Sequence, residues 1–366
     1  MLNRKKTAWV SIILIGGILL ADDVLADELP IFYKGIRPLG MGGAFTAVAD
    51  DENAMFYNPA GLNSIKGFGG VGILNPYVEA SKNIKSFYND VKDVSNAQSD
   101  TEQADLAATL LENWLGQHLH LRTGLFPNVT MHNFGIGFLG QATFDGEVHN
   151  PLGVNTLQLR GGYDLALVAS GAYGFNLFNA PLQVGMTGKL INRRMLDKTY
   201  TTSDLVEQDG IDLSRDLQSG NGVGVDLGAI YAPPVFLEPA FGVSLQNIGN
   251  VNLGDAGKLE QQLNLGAALH PPVGFGKLLL ALDVIDVTNQ LGEDHDLAKR
   301  INAGVEYKLP MLVALRAGLH QGYPSYGFTV DLWVLKASYA YYIEEIGAYA
   351  GQRPDRRNIA QVSMGF

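Results

Sequence analysis

The sequence has no cysteine among its 366 residues. That excludes a disulfide framework, a thiolate metal site, a cysteine nucleophile and a lipid-bearing N-terminal cysteine. Beyond the first 26 residues there is no run of 18 consecutive apolar residues, so nothing there reads as a membrane-spanning helix. Positive charge is scarce. Lys and Arg number 26 against 37 Asp and Glu, and the net charge of −11 is a poor match to nucleic acid. No serine sits in a G-x-S-x-G nucleophile motif and the seven histidines are scattered, so the chain does not read as an enzyme.

What is present begins with an export signal. Arg4, Lys5 and Lys6 precede the apolar stretch "AWVSIILIGGILLA" (8–21), and Val24-Leu25-Ala26 offers small-residue cleavage before Asp27. The apolar stretch falls short of the roughly 20 residues that span a bilayer. Removing residues 1–26 takes away three basic and two acidic side chains, moving the net charge from −11 to −12. An exported chain without apolar helices is either soluble or crosses a membrane as a closed β-barrel, because hydrocarbon leaves no partner for an unpaired backbone group.

The rest of the chain alternates. In "RINAGVEYKL" (300–309), Ile301, Ala303, Val305, Tyr307 and Leu309 share one face, while Asn302, Gly304, Glu306 and Lys308 share the other. "NGVGVDLGAIY" (221–231), "QLNLGAALH" (262–270) and "GFTVDLWV" (327–334) repeat the pattern. Many such segments run to about ten residues or more, where strands of soluble proteins average about five to six. Their second face is rich in Gly, Asn, Gln and charge, as a lumen would be. Tyr307, Tyr339, Tyr341 and Tyr342 gather near segment ends, where interfacial aromatic girdles lie.

About fourteen strands are predicted, near 67–80, 118–129, 133–149, 154–175, 182–200, 221–233, 239–248, 260–271, 277–289, 299–309, 312–322, 325–334, 336–346 and 357–366, an even number as single-chain barrels require. Short connections near 130, 178, 235, 273, 310 and 335 alternate with mostly longer ones, the outer-membrane arrangement with both termini periplasmic. The last segment, "RNIAQVSMGF", puts Ala360, Val362, Met364 and Phe366 on one face. It resembles the C-terminal signal, Met364 and Phe366 included, by which the barrel-assembly machinery recognises outer-membrane barrels.

Residues 82–117 interrupt the alternation. Ile84, Phe87, Tyr88 and Val91 recur at helical spacing. After the capping box "SDTE" (99–102), Leu106, Ala107, Leu110, Leu111, Trp114 and Leu115 form a second stripe. The pattern predicts a helix pair packed on itself over the barrel mouth, open to a role as a lid. A second helical stretch is expected near 204–217.

Before the first strand stands "RPLGMGGAFTAVADDENAMFYNPAGL" (37–62), which lacks the pattern of a strand, while Gly40, Gly42 and Gly43 make a poor helix start. A fourteen-stranded barrel is wider than the eight-stranded kind that side chains fill, so something must close its lumen. A glycine-rich segment with the turn chemistry of Asn58-Pro59 and Gly61 suits that place.

This stretch resembles the N-terminal signature of the FadL-like outer-membrane proteins, which include long-chain fatty-acid and aromatic-hydrocarbon transporters of the TodX type. It is also similar to the PorV group of type IX secretion and to TraF-like barrels. The shared pieces are Gly40-Met41-Gly42-Gly43-Ala44, Asp50-Asp51 and Asn58-Pro59-Ala60-Gly61-Leu62. In the fatty-acid transporters the Asn-Pro-Ala segment belongs to a hatch inside the barrel. The resemblance therefore implies hatch roles for Gly40, Gly42, Gly43, Asp50, Asp51, Asn58, Pro59, Ala60 and Gly61. The tail from Tyr341 onward looks more like the PorV and TraF-like branch.

The remaining motifs are weak. His118 and His120 share a strand face and could bind a metal, but no third ligand is identifiable in the sequence and they read as interfacial histidines. "GEDHD" (292–296) lacks regular Ca²⁺-ligand spacing and reads as a solvated loop. Asp50 to Asn53, "DDEN", is charge that hydrates the hatch or pairs with lumen Arg and Lys.

The sequence thus predicts an all-β protein: a 14-stranded antiparallel transmembrane β-barrel with an N-terminal hatch in the lumen and a helical insertion in the first loop. The expected organisation is a signal peptide (1–26), a hatch (27–66) and a barrel (67–366). The leading functional expectation is passage of a small hydrophobic compound across the outer membrane of a Gram-negative cell, without cofactor or metal. The expected partners are outer-membrane lipid, that ligand and the barrel-assembly machinery. The alternative is a non-catalytic component of protein secretion or conjugative transfer that binds a partner protein.

Overall fold

One-sided alternation leaves each strand with an apolar wall that water does not tolerate and a polar wall that lipid does not, and closing the sheet on itself resolves both. The computed structural model describes residues 28–150, 156–200, 216–292, 296–310 and 312–365. It shows a closed antiparallel barrel of 14 strands.

Two of these strands come in two pieces. β1 consists of Phe68–Leu74 and Tyr77–Ser81, and β2 of His118–Leu125 and Asn128–Met131. The others are β3 (Phe134–His149), β4 (Thr156–Leu177), β5 (Ala180–Tyr200), β6 (Gln218–Tyr231), β7 (Ala240–Gln246), β8 (Gln262–Leu269), β9 (Lys277–Val284), β10 (Ile301–Lys308), β11 (Val313–His320), β12 (Tyr323–Asp331), β13 (Leu335–Glu345) and β14 (Pro354–Gly365). Each pairs with the next. β14 closes the ring on β1, with Ala360 opposite Val78 and Ile359 opposite Glu79. Among the described residues no helix is long and apolar enough to cross a membrane.

The breaks in β1 and β2 fall at Asn75-Pro76 and Phe126-Pro127, where proline has no N–H to give the ladder. Asn75 Oδ1 accepts from the Phe126 amide at 2.7 Å, and Asn128 Nδ2 donates to the Phe126 carbonyl at 2.7 Å. The two kinks are thereby stitched to each other. Tight hairpins join β4 to β5 through Phe178-Asn179 and β11 to β12 through Gln321-Gly322. Both residues of each pair have positive φ, as a type I′ turn requires.

The outer wall is apolar and exposed, with Leu167, Leu190, Val223, Leu227, Leu282, Leu319, Phe328 and Val362 among its side chains. Asn302, Glu306, Asp226 and Asp283 of the alternate positions are buried inside. Tyr341 stacks on Tyr326 at 4.9 Å on the outer wall. Tyr342, expected beside it at the interface, is instead fully buried in the lumen, because neighbouring strand positions face opposite ways. Met364 lies on the outer wall. Phe366, residues 1–27 and most of the stretch near 204–217 lie outside the described residues.

The loop 82–117 carries α1 (Ile84–Ser95) and α2 (Asp100–Asn113). Ser99 Oγ accepts from the Glu102 amide at 3.2 Å, the expected N-cap bond, while Glu102 Oε2 reaches one residue further back and accepts from the Gln98 amide. Val94, Leu110, Leu111 and Trp114 pack with Leu119 and Val148 at the long-loop end of the barrel. The Trp114 ring meets Phe87 edge-on at 5.2 Å and donates to Asp90 at 2.8 Å.

Candidate functional site

The segment from Glu28 to Ile65 packs against inward-facing positions of strands around the ring. Two one-turn helices, Ile36–Gly40 and Ala54–Tyr57, and a 3₁₀ stretch, Pro59–Ser64, punctuate this segment, where the sequence suggested no regular element. Isolated turns this short do not hold themselves in water. Packing against the barrel wall holds these, and Met41, Ala44, Phe45, Met55, Ala60 and Leu62 are almost fully buried.

The wall makes room by glycine. A methyl group added at Gly304 would strike the Met41 backbone, and one at Gly185 would strike Pro59 and Ala60. Gly42 and Gly43, at φ of 67° and 88°, form a left-handed turn against the carbonyls of Ala303 and Leu319 and the side chain of Asn302. Gly40 ends the first helical turn beside Arg316 and Gly327. Gly61 sits against the Ala49 carbonyl, too close for any side chain.

Polar contacts fix the register of segment against wall. The buried amide of Asn58 donates to the carbonyls of Thr46 at 2.8 Å, Ala229 at 3.2 Å and Val243 at 3.3 Å, and its oxygen caps Ala60. One residue thus ties the segment to itself and to β6 and β7. Asp283 Oδ2 on β9 accepts from the amides of Phe45 and Thr46, both at 2.7 Å. Gln141 on β3 donates to the Phe32 carbonyl at 2.9 Å, and His320 on β11 meets the Gly42 carbonyl at 3.1 Å.

Charge pairs add to this. Arg37 grips Glu306 through two parallel bonds of 2.8 Å, and its remaining nitrogen meets Asp51 at 2.7 Å and Asp50. Asp50 and Asp51 therefore pair with an arginine of their own segment. Burial pushes the Asp51 carboxyl up, but Arg37 and the Asn53 bonds outweigh it and hold the group below its ordinary range. Lys34 bonds Glu344 on β13 at 2.7 Å and also meets Glu28. Burial would lower its pKa, and the two carboxylates raise it. Asp283, Glu306 and Glu344 had no signal in the sequence beyond lying on the polar faces of their strands.

Two larger cavities border the segment, beside a small one of 40 Å³ against Thr46 and Tyr57. One, of 360 Å³, lies at the short-turn end against Arg37, Asp51, Lys308, Arg316 and Lys336. The other, of 220 Å³, lies toward the long loops. Its apolar side is Leu29, Pro30, Ile31 and Phe32 of the segment with Met195, the strands supply His118, Asp145, Arg160 and Arg193, and the loop before β14 supplies Arg353. The lumen pocket is therefore two-faced.

The comparisons bear on this architecture at the level of fold. No protein-family model and no curated protein matches the chain. Among solved structures, the toluene transporter TbuX of Ralstonia pickettii superposes with a TM-score of 0.53 at 12% identity, over 92% of this chain and 98% of that one. Two mutants of TodX, each described as a monoaromatic hydrocarbon channel, give TM-scores of 0.52 and 0.50 at 12% and 11% identity. They cover 91% of this chain, with 99% and 97% of their own. The resemblance seen in the sequence thus holds in three dimensions, as a shared fold.

Proposed function

We propose that this protein is an outer-membrane channel that passes small hydrophobic compounds, of fatty-acid or hydrocarbon type, past a hatch formed by residues 28–66. The observation that carries this reading is the seating of that segment on the inward faces of strands around the ring, with a cavity on either side. A ligand with an apolar body would lie on the Leu29 to Phe32 side of the upper cavity, and any anionic head would meet Arg160, Arg193 or Arg353. Binding there favours whichever arrangement of the segment fits the ligand, and transport follows if that arrangement joins the two cavities. The exposed apolar outer wall suits lipid, and the relatives in fold are channels. The secretion or conjugation alternative draws no support from these comparisons.

The test is deletion of residues 37–62. The deletion variant is expected to keep its strand content by circular dichroism, to pass large steady currents in planar bilayers, and to sensitise cells to bulky antibiotics. Uptake of a labelled hydrocarbon or fatty acid by intact cells should be saturable with the full chain and lose saturation in the deletion. Unchanged conductance would overturn the hatch, and non-saturable uptake by the full chain would overturn the channel.

A further inference from the structure

At the long-loop end of the lumen the barrel brings together three groups that the sequence keeps apart. β2 and β3 pair so that His118 stands opposite Glu147 and His120 opposite Asp145. All four side chains face inward, since positions two apart share a face. Asp145 Oδ1 lies 2.7 Å from His120 Nδ1 and 3.2 Å from His118 Nε2. The donor atoms of the three residues all fall within 4.8 Å of one another. A tetrahedral zinc ion with bonds of about 2.0–2.2 Å places its donors roughly 3.4 Å apart. The trio is therefore near ligating geometry without moving the backbone.

The outer contacts match as well. Metal-bound imidazoles ordinarily turn their second nitrogen to a carboxylate, which fixes the ring and raises its basicity. Here the second nitrogen of His120 lies 2.9 Å from Glu79, and that of His118 lies 3.8 Å from Glu147. Those carboxylates are themselves held. Glu79 is gripped by Arg122 and receives the Tyr342 hydroxyl at 2.7 Å, while Glu147 pairs with Arg353. Meanwhile His118 Nε2, the atom turned toward Asp145, is buried and makes no well-formed hydrogen bond among the described residues. A network of protonated histidines would satisfy the carboxylates, with the 3.2 Å approach of Asp145 to His118 Nε2 as its most poorly aligned contact.

We infer that His118, His120 and Asp145 form a binding site for a borderline divalent cation, Zn²⁺ being the probe of choice. Two neutral imidazoles and one carboxylate are its donors, and Glu79 and Glu147 orient the rings. The three residues line the 220 Å³ cavity, so the fourth coordination position is open to water or to an anionic ligand from the lumen. The site shares this cavity with the ligand of the proposed transport role but does not rest on that role. Only topology could disclose it, because the third ligand comes from the next strand.

The experiment uses the full chain, purified in detergent, stripped with a chelator and titrated with Zn²⁺ against a chromophoric indicator. One equivalent is expected to bind, and Co²⁺ substituted for it should show the intense visible absorption of four-coordinate N/O ligation. His118→Ala and Asp145→Asn should each weaken Zn²⁺ binding by at least tenfold. Glu147→Gln, which touches no metal, should weaken it by about tenfold through ring orientation. Unheated gel mobility reports whether each variant still forms the barrel. The inference fails if the wild-type chain binds no stoichiometric Zn²⁺, or if folded His118→Ala and Asp145→Asn bind it as tightly as wild type. It also fails if bound Co²⁺ gives only the weak spectrum of an octahedral ion, a readout that needs no variant.

Discussion

Replacing Asp283 by alanine is the most direct way to loosen the lumen segment without touching it. One carboxylate oxygen on β9 accepts two backbone amides, Phe45 and Thr46, at 2.7 Å each, and Asp283 is buried. Truncation leaves both amides facing an apolar methyl group. A buried donor left without a partner costs roughly 1–3 kcal/mol, so the pair costs about 2–6 kcal/mol, with lumen water pulling the figure toward the lower end. A loss of about 2 kcal/mol corresponds to roughly thirty times more occupancy of any state in which this turn has left the wall. Asn at the same position keeps one oxygen able to accept both amides. Its NH₂ group would fall where Asp283 Oδ1 makes no hydrogen bond. Neutral bonds are about half as strong as charge-assisted ones, so Asp283→Asn should cost about 1 kcal/mol, or roughly fivefold. Single-channel recording gives the opening frequency directly, and amide exchange at Phe45 and Thr46 reports the same detachment. The reasoning is refuted if Asp283→Ala opens and exchanges no more than wild type, or if Asn is as damaging as Ala.

Two further outcomes follow from the same geometry. Asp51 is held below its ordinary range in the folded state, so its contribution is complete above the unfolded value of about 3.9 and is lost as pH falls through the depressed native one. Opening frequency should therefore be flat from pH 7 to about 5 and rise at lower pH, and Asp51→Asn should flatten that rise. Superimposable profiles would show that Arg37 does not depend on this partner. At the other end of the chain, deleting Phe366 should lower the amount of protein reaching the outer membrane and induce an envelope stress response. Unchanged levels in a quantitative membrane blot would make the terminal aromatic incidental.

The barrel was legible in the sequence because its cause is local and repeated. Alternation in segments such as 300–309 is written residue by residue, and the lipid-facing and lumen-facing sides can be assigned before any pairing is known. The sequence likewise places a turn near 178, at Asn179, whereas the breaks at Pro76 and Pro127 fall inside segments that read as continuous strands. Even the Ser99 cap announces itself within four positions. The glycine-rich, acidic stretch before β1 could be recognised as something other than a strand or a tail.

What the chain could not disclose alone is which side chains meet. Alternation puts Tyr341 on the outer wall and Tyr342 inside, but only closure of the ring supplies Glu79 as the partner of the Tyr342 hydroxyl. Arg37 and Glu306 lie 269 residues apart, and only closure of the ring makes them a pair. The one-turn helices at Ile36–Gly40 and Ala54–Tyr57 have no local reason to form and exist because the wall packs them. His118 and His120 are two candidate ligands in sequence, and the register of β2 against β3 delivers Asp145 as the third. Local backbone preference and side-chain polarity are properties of single residues, so the sequence determined the strands, their faces and their turns. Register, closure and the contents of the lumen are long-range contacts whose free energy arises only when distant segments are brought together, and the tertiary structure decided those.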